Sequence, residues 1–228
     1  MVAIAGAATG DVVSWPMIQG FPQLFGSIAL ASFDVIGNLL RSTRGIMTDI
    51  YRHPDEVIEA CNVYVNILIE NTLFFTSSPF VFIPLHKGAD SFMSIKQFES
   101  FYWPPLKKLM LGLVDDGLIP VLFAEGSYDS RLDTISDFPR NSCIWYFDQT
   151  DMYLAKKKLG DVCTIMGNVP SSLTVTGTPE QMKKYCYDLI ENIGNDGNFI
   201  LSNGCQVDNA IEENLIAMIE SVKEVGIR

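Results

Sequence analysis

Positive charge is scarce in this chain. Sixteen Lys and Arg stand against 27 Asp and Glu, giving a net charge of −11 over 228 residues. Nucleic acid and anionic membrane surfaces bind through clustered cations, so neither is an expected partner. Histidine is scarcer still: His53 and His86 are the only two. The five cysteines, at 61, 143, 163, 186 and 205, are an odd number and do not make a disulfide framework in a chain this long. No apolar run is long enough for a membrane span, because the most apolar stretch, Val63 to Leu85, is broken by Asn66, Glu70, Asn71 and Pro79. The first residues, Met1-Val2-Ala3-Ile4-Ala5-Gly6, lack the basic start of a secretory signal. The expected location is therefore the cytoplasm. Internal repeats, linkers and low-complexity stretches are absent, and no GxGxxG or GxxxxGK[ST] opens a helix, so a nucleotide-binding sheet has no support.

What is present is apolar and punctuated. With 48% hydrophobic and 19% charged residues the chain can bury a large single core. Five apolar runs each end in a polar or reactive residue. Phe80-Val81-Phe82-Ile83-Pro84-Leu85 ends at His86, and Ile119-Pro120-Val121-Leu122-Phe123 ends at Glu125. Cys143-Ile144-Trp145-Tyr146-Phe147 ends at Asp148, and Val162-Cys163-Thr164-Ile165-Met166 ends at Gly167-Asn168. Phe199-Ile200-Leu201 runs to Gly204-Cys205, and Ser27-Ile28-Ala29-Leu30-Ala31-Ser32 makes a sixth strand ending near Phe33-Asp34. Short buried strands alternating with helices predict an α/β fold with a parallel sheet.

The helices carry clear start and stop signals. Pro54-Asp55-Glu56 opens one reaching about Phe75. Ser94-Ile95-Lys96-Gln97 is a capping box opening a helix towards Asp116, kinked or restarted at Pro104-Pro105 and stopped by Gly117. Further helices run from Thr150 to Leu159, from Thr178-Pro179-Glu180-Gln181 to Gly194, and from about Asn209 to Val225. Residues 1–26, rich in Gly and Ala, form an N-terminal segment, and residues 27–228 form the domain. Six strand–helix units suit an open doubly wound sheet, or a (β/α) barrel short of its eight strands.

Four segments carry a more specific likeness. They are Leu85-His86-Lys87-Gly88-Ala89-Asp90 with Phe92-Met93-Ser94, then Phe98-Glu99-Ser100-Phe101-Tyr102-Trp103-Pro104, then Met166-Gly167-Asn168-Val169-Pro170, and Leu201-Ser202-Asn203-Gly204-Cys205. On these, from about Ile28 to Gly226, the chain resembles the uroporphyrinogen decarboxylase superfamily, which holds haem-pathway decarboxylases and corrinoid-dependent methyltransferases. The resemblance implies a (β/α)8 TIM-barrel fold, incomplete in this chain, with the six strands standing for family strands three to eight.

In a barrel, catalytic groups gather at the C-terminal strand ends. That rule nominates His86, Glu125, Asp148 and Asn168 as catalytic candidates. His86 suits acid, base or ligand work, and two carboxylates on one rim can divide acid and base roles. Their plainer alternatives are loop hydrogen bonding for His86, and helix capping for Glu125 and Asp148. Arg131, Lys87 and Arg41 are candidate contacts to an anionic substrate, against surface ion pairing or a solvated loop. His53, placed before a helix, reads as structural. Cys205 is the position at which the resemblance implies zinc, since the methyltransferases place a zinc-binding cysteine there and the decarboxylases commonly a histidine. The partner ligand positions of that pattern hold Thr164 and Met166, a rare and a poor zinc ligand. Cys163, one residue earlier on its strand, points to the other face.

Three functions from different classes follow. The resemblance and Cys205 imply methyl (C1) transfer involving a corrinoid carried by a partner protein. The superfamily also implies uroporphyrinogen III decarboxylation, a carboxy-lyase reaction without cofactor. The strands expected to be missing point to a non-catalytic subunit or remnant, associating as a homodimer or with a chain that completes the barrel.

Overall fold

The computed structural model describes Gly20, residues 27–76 and residues 78–226. The N-terminal segment, residues 1–26, lies outside the described residues apart from Gly20.

Six strands form one parallel sheet in chain order: β1 Ser27–Ile28, β2 Phe80–Leu85, β3 Ile119–Ala124, β4 Ile144–Phe147, β5 Thr164–Val169 and β6 Phe199–Asn203. Each pairs only with its neighbours in sequence. Ser27 lies opposite Val81, Phe82 opposite Val121, Leu122 opposite Trp145, Trp145 opposite Ile165, and Asn168 opposite Ser202. A doubly wound sheet reverses its strand order at a switch point. None occurs among the described strands, so the winding is that of a barrel, carried through six units.

The helices follow from their caps. The first pair after β1 are α1 Ser32–Val35, which loosens into a π-helical turn Ile36–Leu40, and α2 Ser42–Arg52. Next is α3 Pro54–Phe75, with proline in its first turn and Asp55 and Glu56 beside the helix N-terminus. The Ser94 box opens α4 Ile95–Gln97: Gln97 N–H donates to Ser94 Oγ at 3.2 Å, and Ser94 N–H donates to Gln97 Oε1 at 2.9 Å. A π-helical turn, Phe98–Tyr102, leads into α5 Trp103–Asp115. Pro104 and Pro105 fall in the first turn of α5, where a missing N–H costs no helix bond. After a 3₁₀ turn at Asp129–Arg131 come α6 Leu132–Ile135 and α7 Met152–Leu159, then α8 Ser171–Thr176, α9 Pro179–Asn192 and α10 Glu212–Ser221. The cap of α7 is Asp151, so the helix expected from Thr150 begins at Met152. Thr150 is buried, and its Oγ1 accepts from Tyr128 N–H at 2.9 Å.

The strand pleat sorts side chains to two faces. Val81, Ile83, Leu85, Leu122, Ala124, Trp145, Phe147 and Ile165 meet the helices in the main core. Val121, Ile144, Tyr146 and Met166 form a smaller cluster on the opposite, inner face, with Phe82 and Phe123 packed against it. Ring pairs Phe82–Phe123 at 5.9 Å and Phe123–Tyr146 at 4.7 Å run across it. No helix of the described residues is long and apolar enough to cross a membrane.

Candidate active site at the C-terminal rim

The strand ends place four of the nominated residues on one rim. Leu85, Ala124 and Phe147 face the helices, so the next inward-facing positions at β2, β3 and β4 are His86, Glu125 and Asp148. His86 Nδ1 and Glu125 Oε2 meet at 2.7 Å, both side chains partly open to solvent. The pair can orient the imidazole and pass a proton along one bond.

A buried carboxylate that sequence reasoning did not nominate lies behind this pair. Asp34 Oδ2 accepts from His86 N–H at 3.0 Å and from Tyr102 O–H at 2.5 Å, while Oδ1 has no hydrogen-bond partner. Burial pushes the Asp34 carboxyl up from the ordinary aspartate range, against the pull of its two donors. The strand-end rule, applied at Phe33-Asp34, was the signal that points to it. Tyr102 is pushed well above the usual tyrosine value, by burial first and then by the Asp34 charge.

Asp148 joins the rim to a cleft. Its Oδ2 accepts from Gly126 N–H at 3.0 Å. Burial pushes its carboxyl up and the Glu125 charge adds to that, while the Gly126 bond opposes both. Two glycines let the neighbouring turns close on the backbone of Phe147 and Asp148. A Cβ on Gly167, whose φ is +130°, would lie 2.5 Å from the Phe147 carbonyl oxygen, and one on Gly204 would lie 2.9 Å from that of Asp148. Asn168 ties the turns together, donating to the carbonyls of Asp148 at 3.1 Å and Thr150 at 2.9 Å. Tyr185 O–H donates to Asn168 Oδ1 at 3.1 Å. The Cys205 thiol stands 2.9 Å from Ser171 Oγ. Asp148, Asn168, Ser171 and Cys205 share the wall of a cleft of about 670 Å³ with Asp151, Tyr153, Tyr185 and Asp188.

The three expected anion contacts have other partners. Arg131 is fully buried. Its guanidinium donates to the carbonyls of Gly88, Ala89 and Met93, lies 3.4 Å from Asp90 and covers the Phe98 ring at 5.0 Å. It clamps the 86–93 loop instead of facing the cleft. Lys87 is also buried; its ammonium donates to Asn38 Oδ1 and lies 5.8 Å from the Phe92 ring centre. Arg41 pairs with Asp49 at 2.6 Å and lines a separate groove with Leu40, Ile46 and His53. His53 precedes α3 and lies 3.5 Å from Glu56. Met166 is held in the inner apolar cluster, Thr164 stands at the start of β5, and Cys163 packs into the helix-side core. No group of three His, Cys, Asp or Glu among the described residues could hold a metal ion. The residues present therefore do not fit a zinc site of the methyltransferase kind.

No curated protein sequence matches the chain. Among solved structures, a methyltransferase from Methanosarcina mazei has a TM-score of 0.68 at 18% identity, over 88% of this chain and 59% of that one. The chain thus spans less than two thirds of that protein's length, and the likeness is one of fold. The model of the uroporphyrinogen decarboxylase (URO-D) family matches residues 21–225, nearly the whole length, and the chain belongs to that family.

Proposed function

We propose that this URO-D family chain acts in methyl transfer between a small molecule seated in the rim cleft and a corrinoid carried by a partner protein. The observation that carries this reading is the Cys205 thiol, set beside Ser171 in one cleft with Asp148 and Asn168. The corrinoid, on its own protein, would supply the methyl-carrying centre. This chain would bind and orient the small molecule, with Asp148, whose carboxyl lines the cleft and is raised by burial, taking the proton that a thiol or amine acceptor must lose. The likeness to a methyltransferase fold agrees with this reading.

The wall carries Asp148, Asp151 and Asp188, and among the described residues no Lys, Arg or His lines it. Neutral or cationic methyl carriers are therefore favoured over sulfonates and polycarboxylates, which argues against the porphyrinogen reading. The six-strand sheet agrees with a further chain completing the barrel in the working complex.

The test is methyl transfer from a methylated corrinoid protein to small amines and thiols, followed by the corrinoid's visible spectrum. Asp148→Asn, which keeps an oxygen for Gly126 N–H but is a far weaker base, should slow transfer about 100-fold. An inert wild type that instead releases carbon dioxide from uroporphyrinogen would overturn the reading. Native mass spectrometry of the working complex should show a second chain bound.

A further inference from the structure

Two cysteines face each other at the end of the sheet remote from the cleft. β4 and β5 are paired with Ile144 opposite Thr164 and Trp145 opposite Ile165. That register sets Cys143, one residue before β4, opposite Cys163, one residue before β5. The pairing persists below them, since Asn141 N–H donates to the Val162 carbonyl at 2.7 Å. Both side chains enter the same helix-side core, beside Leu159 and Ile165, and both are buried. Adjacent strands run about 4.8 Å apart. That spacing falls within the roughly 4.4–6.8 Å between Cα atoms that a disulfide spans.

We propose that Cys143 and Cys163 are a latent dithiol that closes into a disulfide across β4 and β5, the oxidant being a small-molecule disulfide. One thiolate attacks a sulfur of the small disulfide, forming a mixed disulfide and releasing one small thiolate. The second protein thiolate attacks the protein sulfur of that mixed disulfide and displaces the other small thiolate. In sum, two protein S–H groups and one small disulfide become one protein S–S bond and two small thiols.

The surroundings set the kinetics. The Cys163 thiol beside it, together with burial, pushes the Cys143 thiol far up, so the closed protein keeps it protonated and unreactive. Exchange proceeds when the N-terminal ends of β4 and β5 open, and the finished bond is then buried from reductant. The other cysteines have no such geometry: Cys61 is buried in the main core, Cys186 packs on Met182, and Cys205 sits in the cleft. The bond would join the same two strands whose opposite ends hold Asp148 and Asn168.

The test uses the whole protein with excess oxidised glutathione, warmed to just below its melting temperature, then alkylated after denaturation and mapped by tryptic peptide mass. The expected result is three free thiols where there were five, a peptide linked from Cys143 to Cys163, and a raised Tm that falls again on reduction. Cys163→Ser should abolish the link and leave a glutathione adduct on Cys143, while Cys61→Ser should leave the link intact. Five free thiols, a link involving another cysteine, or glutathione adducts persisting at both positions of the wild type would overturn the proposal.

Discussion

Asp34 carries the clearest consequence at the scale of one residue. Its carboxyl is fully buried and raised, so over the window between its ordinary value and its raised one the folded protein holds more protons than the unfolded chain. The stability this group supplies is present below the ordinary aspartate value and is lost as pH rises through the raised one. Asp34→Asn keeps an oxygen for His86 N–H and Tyr102 O–H but cannot ionise. Urea midpoints measured against pH should fall from the ordinary aspartate range upward in the wild type and lie flatter in the variant. Parallel slopes would show that Asp34 does not titrate in that window. Single positions were unevenly legible in the sequence. His86, Glu125 and Asp148 are visible because each follows an apolar run. The duties of Arg131 and Lys87 are not, because they depend on carbonyls and an amide brought near by folding, which no spacing encodes.

Elements were legible where they carry their own punctuation. The helix over Thr178-Pro179-Glu180-Gln181 appears as α9, with Gln181 N–H donating to Thr178 Oγ1 at 3.3 Å and Thr178 N–H to Gln181 Oε1 at 2.9 Å. Thr178→Ala removes one half of that box and should cost about 1 kcal/mol, read from the urea midpoint. An unchanged midpoint would mean that packing alone holds α9. Elements without punctuation were missed. The π-helical turn after α1 contains Gly37, α2 contains Gly45 and follows that turn across Arg41, and neither α1 nor α2 has an N-cap side-chain bond at its start. α8, Ser-Ser-Leu-Thr-Val-Thr, is rich in residues with poor helix propensity and is held by its surroundings. Asn214 Nδ2, for instance, donates to the Gly177 carbonyl behind it at 2.9 Å. The sixth strand, expected over 27–32, shortens to Ser27–Ile28 because α1 already starts at Ser32.

For the whole molecule, charge and sheet edge act against each other. Among the described residues the sheet stops at β1 on one side and β6 on the other. Beside β1, Ile28 is 65% exposed, and Phe74 and Phe75 at the end of α3 are 81% and 76% exposed. Such an edge invites association, while a net charge of −11 repels a second copy. Raising salt from about 0.1 M, where the Debye length is about 10 Å, to about 1 M, where it is about 3 Å, removes most of that repulsion. Sedimentation velocity should then show larger species at the higher salt. Larger species at the lower salt would mean that opposite charges, not apolar edges, hold copies together.

The strictly sequential strand order has one more consequence, for the way the molecule is made. Among the described residues every strand after β1 that leaves the ribosome finds its mate already synthesised, one crossover upstream. The sheet can therefore grow in the direction of translation, one strand at a time. At each stage the most recent strand is the exposed edge, and the next to emerge is its natural cover.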